Sequence, residues 1–217
     1  VNNELFRESD PFSPITYSYK INNVLYSGKS QYQDIKVLDS PEFGRMLVLD
    51  GVVQLTERDE FFYHEMLAHV ALHAHLNPSD VLIIGGGDGG TLREVIKHEP
   101  VKHVQLVELD KEVIEISRRY FPFLSSGFSD ARTKIKEMDG SRFVSTTTDR
   151  YDVVIVDSTD PVGSAQNLFS EQFFNDALSI LNEDGILVIQ TESLYFHREF
   201  VIEIQKRLGK LFEIVGL

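Results

Sequence analysis

Six carboxylates occupy places where an alternating α/β chain would gather them: Asp88, Glu108, Asp139, Asp157, Asp160 and Glu192. Asp88 interrupts a run that is otherwise all glycine, residues 85–90, and Gly85, Gly87 and Gly90 match the spacing G-x-G-x-x-G. Glu108 follows at roughly the ~20-residue interval at which an acid meets ribose hydroxyls in dinucleotide-binding folds. Missing side chains let the backbone turn tightly and let a ligand approach the start of the next helix. A carboxylate at the tip of the next strand accepts hydrogen bonds from a ribose. Together these features describe a nucleoside site.

Asp88 narrows the choice of nucleoside. A helix N-terminus after such a loop usually receives a pyrophosphate, because its free N–H groups and dipole favour anions. A carboxylate in the loop repels that group and welcomes a cation instead. S-adenosylmethionine and its decarboxylated form are nucleosides of this kind, each carrying a sulfonium. Like charges crowded on one rim raise one another's pKa values, so the remaining acids also call for cationic guests such as polyamines.

The elements that must hold these groups follow from the apolar pattern. Strands are predicted over 81–84, 103–107, 133–138, 151–156 and 186–189, and helices over 90–98, 111–120, 141–145, 170–181 and 196–208. The strands end in Gly85, Glu108, Asp139 with Gly140, Asp157, and Gln190 leading to Glu192, with Asp160 in the loop after Asp157. Ligands of open parallel sheets bind at these carboxyl ends. Residues 1–56 differ: 15–24, 34–39 and 46–55 are rich in β-branched and aromatic residues, and Asp50-Gly51 is a favoured tight-turn pair. They predict a small antiparallel sheet. The division is therefore a β domain over 1–56 and a Rossmann-like α/β domain over 57–217.

A helix is predicted over 59–75, with Phe62, Met66, Val70 and Ala71 or Leu72 as its apolar stripe. It carries four histidines, but His64 and His69 are five residues apart and point about 140° from each other. No H-E-x-x-H zinc motif forms, and no metal is expected.

Composition sets outer bounds. The 217 residues carry a net charge of −13 and no cysteine, with 42% hydrophobic residues. Phosphate-directed binding of nucleic acid is disfavoured, disulfides and thiolate chemistry are ruled out, and no apolar run reaches the ~20 residues that span a bilayer. A cytoplasmic protein is expected.

Several segments resemble the polyamine aminopropyltransferase family, bacterial spermidine synthases most of all. They are Ser30-Gln31-Tyr32-Gln33-Asp34, Leu47-Val48-Leu49-Asp50-Gly51, Thr56-Glu57-Arg58-Asp59-Glu60, Tyr63-His64-Glu65-Met66, the glycine run with Asp88, Glu108-Leu109-Asp110, and Asp157-Ser158-Thr159-Asp160-Pro161. The resemblance implies a methyltransferase-like Rossmann domain after a small N-terminal β domain, assembled as a homodimer or homotetramer. It implies decarboxylated S-adenosylmethionine as co-substrate, no prosthetic group, and putrescine as acceptor. By the same resemblance Glu108 holds the ribose, Asp139 and Gly140 meet the adenine, Gln33 and His64 contact the nucleoside side, and Asp88 takes the aminopropyl ammonium. Asp157, helped by Tyr63, accepts the proton of the attacking amine. Asp160, Gln190 and Glu192 hold the far ammonium, beside Ser158 and Thr159.

The chain departs from the family at three places. Ser164 and Gln166 replace a proline and a glutamate in the loop that lines the thioadenosine, and Phe6 replaces a tryptophan. Residues 212–217 read as the start of a strand, after which the family continues with two antiparallel strands, so a truncated sequence is expected. Competing readings are an S-adenosylmethionine-dependent amine methyltransferase, transfer to agmatine, cadaverine or spermidine, a non-catalytic binding module, and an NAD dehydrogenase.

Overall fold

The computed structural model describes residues 4–9, 14–159 and 163–217, without the side chains of 163 and 164. Its N-terminal part contains β1 (Glu4–Ser9), β2 (Thr16–Ile21), β3 (Asn23–Lys29), β4 (Asp34–Ser40), β5 (Gly44–Leu49) and β6 (Val52–Thr56). These form two sheets rather than the single sheet expected: an antiparallel pair β1–β2, and a meander in the order β3-β4-β5-β6. The strand-rich stretch 15–24 is broken at Asn22, whose N–H and side chain both turn to Asp39. There the chain leaves the first sheet and enters the second. Asp50 and Gly51 have φ of 48° and 86°, the paired positive values of a tight hairpin turn between β5 and β6.

The rest alternates: α1 (Glu60–Ala74), β7 (Asp80–Gly85), α2 (Gly90–Val95), β8 (His103–Glu108), α3 (Lys111–Tyr120), β9 (Thr133–Glu137), α4 (Gly140–Thr146), β10 (Tyr151–Asp157), α5 (Glu171–Ile180), β11 (Leu181–Ile189) and α6 (Arg198–Leu208). The five strands are parallel in the order β11-β10-β7-β8-β9. The order reverses between β7 and β10, which opens a crevice at their carboxyl ends. Strand alternation sends Leu82 and Ile84 into a core with Phe143, Phe173 and Phe174 beneath α4 and α5. Val81 and Ile83 enter the opposite core with Leu67, Leu72 and Leu92 beneath α1 and α2. β7 is thus buried on both faces, which is why it reads as an unbroken apolar run.

Two expectations are corrected. The stripe Phe62, Met66, Val70 faces outward, at 66%, 65% and 56% exposure, while Leu67, Ala68, Ala71 and Leu72 pack inward beside Glu60 and His64. Residues 212–217 form no strand. The N-terminal meander joins the second part through a shared core, in which Ile35, Val37, Leu47 and Leu49 meet Val113, Ile116 and Phe121 of α3 and its end. Among the described residues no helix is long and apolar enough to cross a membrane.

Candidate active site

At the reversal point Gly85 and Asp157 are paired across β7 and β10. Gly85 has φ +81°, and a Cβ there would lie 2.0 Å from the Asp157 carbonyl oxygen. Only glycine combines that conformation with that approach. Gly86 N–H then donates to the same carbonyl at 2.8 Å. The glycine run therefore serves the acid on the neighbouring strand as well as any ligand.

A cavity of about 410 Å³ opens here, within the usual size for small-molecule sites. Glu108, Asp139, Gly140, Asp157 and Gln190, each at or just after the end of a strand, all line it, with Asp88 from the glycine loop. The expectation of one acidic rim thus has a physical location. Gln33, Tyr63, His64, Ser158 and Thr159 line it too.

Asp157 is 8% exposed and receives two short hydrogen bonds, from Tyr63 OH to Oδ1 and from Thr91 Oγ1 to Oδ2, both 2.6 Å. Burial and the neighbouring Asp88 charge push its carboxyl above the usual range, while His64 and the two hydroxyls pull it back. Asp88 Oδ1 accepts the Gly90 N–H at 2.6 Å and lies 3.3 Å from His64 Nε2. Burial would raise Asp88, but His64 and these hydrogen bonds hold it below the ordinary value. Glu108 is pushed up to about 7 by burial, against the pull of its hydrogen bond from Asp110 N–H, with help from Asp110, Asp88 and Asp157. Burial opposes charge on His64, yet Asp88, Glu60 and Asp157 push it up to about 10. The crowd of negative charge therefore contains a built-in cation, which the sequence did not reveal.

Other assigned residues sit as follows. Gln33 Nε2 donates to Asp110 Oδ2 at 2.9 Å, beside Ser30 Oγ on the same atom, so the N-terminal part is fastened to the cavity wall. Asp139 caps α4 through the Arg142 N–H. Ser158 Oγ donates to the Thr159 carbonyl. Among the described residues the buried Gln190 Oε1 has no hydrogen-bond partner, and its residue lines the cavity. Glu192 lies 2.7 Å from His197 Nδ1 and is not among the residues that line the cavity. Asp160 lies outside the described residues. Ser164 belongs to the 3-10 helix Gly163–Phe169, and its side chain is outside them as well. Thr91 was missed in the sequence, where a threonine after a glycine run carries no distinguishing signal.

His64, Asp88 and Asp157 offer atoms within 4.8 Å of one another, a spacing that suits a divalent ion. His64, however, has both ring nitrogens against carboxylates, Glu60 and Asp88, and a doubly protonated ring has no lone pair to give a metal.

Geometry alone defines the class: a Rossmann-type fold with a crevice at its reversal point, lined by acids that suit a cationic substrate. Comparison with known proteins supplies the rest. Residues 60–217 match the spermine/spermidine synthase domain and residues 5–57 the spermidine synthase tetramerisation domain. Polyamine aminopropyltransferase 1 of Aquifex aeolicus is 58% identical over 98% of this chain and 76% of its own length. The polyamine aminopropyltransferase of Hydrogenobaculum is 52% identical over the same shares. A crystal structure of spermidine synthase in complex with the transition state analogue AdoDATO superimposes with a TM-score of 0.95 at 41% identity, over 99% of this chain and 73% of that one. Spermidine synthase from Thermotoga maritima gives 0.91 at 39%, over 99% and 72%. The chain belongs to the spermine/spermidine synthase family and is a transferase of the polyamine aminopropyltransferase type.

Proposed function

We propose that the chain transfers the aminopropyl group of decarboxylated S-adenosylmethionine to putrescine, giving spermidine and methylthioadenosine. The observation that carries this reading is Asp157. It is a buried carboxylate with a raised proton affinity, fixed by Tyr63 and Thr91 in the same cavity as Glu108 and Asp88. An ammonium has no lone pair, so the amine must lose a proton to react, and a carboxylate within hydrogen-bond reach accepts it. The amine nitrogen attacks the aminopropyl carbon next to sulfur and forms a C–N bond. The C–S bond breaks with its electron pair going to sulfur, which leaves as a neutral thioether. The proton of the attacking nitrogen goes to Asp157. Alignment of the nucleophile behind the C–S bond supplies much of the remaining acceleration.

In this reading Glu108 binds the ribose, and Asp139 and Gly140 face the adenine, with Ser164 on the thioadenosine side and Gln33 closing the nucleoside wall. Asp88, beside His64, takes the aminopropyl ammonium. Ser158, Thr159, Asp160 and Gln190 lie along the acceptor, and the Gln190 Oε1, without a partner among the described residues, suits its far ammonium. Glu192 joins them only by leaving His197. Residues 1–56 and 57–217 act as separate domains, the first carrying the contacts of a homodimer or homotetramer.

The test is product analysis by mass spectrometry, with decarboxylated S-adenosylmethionine offered alongside putrescine, cadaverine, agmatine and spermidine. Spermidine and methylthioadenosine in equal amounts are expected, with the Asp157→Asn chain slower by about 10²–10⁴-fold. Product from another amine alone would move the acceptor assignment, and an unimpaired Asp157→Asn chain would end the proposed mechanism.

A further inference from the structure

Glu60 does not line the cavity, yet it is 7% exposed and stands directly behind a residue that does. His64 Nδ1 lies 2.6 Å from Glu60 Oε2, and His64 Nε2 lies 3.3 Å from Asp88 Oδ1. An ionised carboxylate only accepts hydrogen bonds, so Nδ1 donates to Glu60, and the Asp88 oxygen beside Nε2 favours a proton there as well, which makes the ring an imidazolium. Glu60 is itself gripped in a two-pronged pair by Arg93, NH1 to Oε1 at 2.9 Å and NH2 to Oε2 at 3.0 Å. Arg93 Nε then donates to Glu94, which is fully buried and shared with Lys97 and His69. Charge thus alternates along a chain from the cavity inward: Asp88, His64, Glu60, Arg93, Glu94.

We propose that Glu60, held by Arg93, is a positioning residue for the transfer, fixing His64 as an imidazolium that keeps Asp88 and Asp157 ionised and correctly aimed. The inference rests on the aminopropyl-transfer reading. The groups facing His64 are Glu60 on α1, Asp88 on the glycine loop, Asp157 at the end of β10 and the edge of the Tyr63 ring. Glu108 on β8 adds a further negative charge toward Asp88 and Asp157. Without the cation these three acids repel one another in a buried space. A merely structural role, joining α1 to α2 through the Glu60–Arg93 pair, would leave the charge of His64 untouched.

The Glu60→Gln substitution keeps the shape and removes the charge, and the Glu60→Asp chain keeps the charge. Two readouts are needed: NMR titration of the His64 ring in histidine-labelled protein, and the pH profile of kcat/KM. In the parent chain His64 is expected to titrate near 10, and the alkaline fall in rate to follow it. In Glu60→Gln both move down together by about one pH unit or more, so the loss of rate is larger at pH 9 than at pH 7. Glu60→Asp keeps the charge but holds it farther from His64, so its titration and alkaline limit are expected to fall between those of the parent and Glu60→Gln. An unchanged His64 titration in Glu60→Gln, or a rate loss equal at every pH, would overturn the proposal. The titration needs no substrate. If the parent chain transfers no aminopropyl group, the reaction assignment fails, while the titration still decides whether Glu60 sets the charge of His64. Should Glu60→Gln not fold, Glu60→Asp carries the test, since the longer reach of the shorter carboxylate to His64 lowers its titration measurably, and no shift counts against the proposal.

Discussion

At the scale of single residues, the site is governed by which carboxyl groups hold protons. Glu108 is the informative case, because burial pushes its carboxyl up to about 7. In the proposed reading ribose hydroxyls donate to the Glu108 carboxylate and not to its protonated oxygen, so a bound nucleoside lowers that value. Binding is therefore coupled to loss of a proton. Affinity for methylthioadenosine is expected to hold above pH 7 and to weaken as pH falls below it, by at most about tenfold per unit. Calorimetry at pH 6 and pH 8 measures this directly, and the Glu108→Gln chain should bind weakly at both with little difference between them. Equal affinity of the parent chain at the two values would remove Glu108 from the ribose.

At the scale of elements, the glycine loop and α1 form one device. Gly90 opens α2 directly under the His64 ring, and a Cβ there would lie 2.2 Å from His64 Cε1. The ring cannot yield, since Glu60 and Asp88 hold it from both sides. Gly90→Ala is expected to cost about 1–3 kcal/mol of stability, as overpacking does, and to lose most activity because His64 and Asp88 move together. Gly51→Ala is the control. Nothing lies within 4 Å of its Cβ, but φ of +86° costs it about 1–2 kcal/mol, and its activity should persist. Urea melts and kcat/KM separate the two, and an active Gly90→Ala chain would deny the coupling.

The same elements show what the sequence could and could not reveal. The parallel strands and the acids at their ends were legible because a strand buried on both faces carries a continuous apolar run that stops at a polar residue, as Val153–Val156 stops at Asp157. α1 was read partly inside out, since Ala71 and Leu72 of the expected stripe do pack inward. Its inner face carries Glu60 and His64 for the site, its outer face carries Phe62, Met66 and Val70, and a periodic pattern cannot choose between two apolar sides. The charge on His64 was illegible because Asp88 meets it only through folding, as Arg93 meets Glu60 across 33 residues, although Glu60 itself is the i,i+4 neighbour of His64 on α1.

At the scale of the whole molecule, the N-terminal part is unfinished as a single chain. The β1–β2 sheet packs Phe6, Tyr19 and Ile21 against Leu38, Met46 and Val48 of the meander, yet its register places Leu5 and Tyr17 on opposite faces, at 48% and 47% exposure. β3, an edge strand, leaves Val24 48% and Leu25 38% exposed. Such apolar surface on both sides of a thin sheet is what a second copy would cover, in the segment whose family match is the tetramerisation domain. The net charge of −13 makes copies repel, so the contact must be apolar and must strengthen as salt screens that repulsion. Light scattering at micromolar concentration is expected to give a mass above that of one chain, with the assembled fraction rising with salt. The double substitution Leu5→Lys and Val24→Lys should bring the mass down toward a single chain while leaving the shared core against α3 intact. A parent chain that runs as a monomer, or a double variant that keeps the parent mass, would place the assembly surface elsewhere. Because Ser30 and Gln33 tie this same part to Asp110 beside Glu108, dissociation should also weaken nucleoside binding, which connects the molecule's outermost sheet to its reaction.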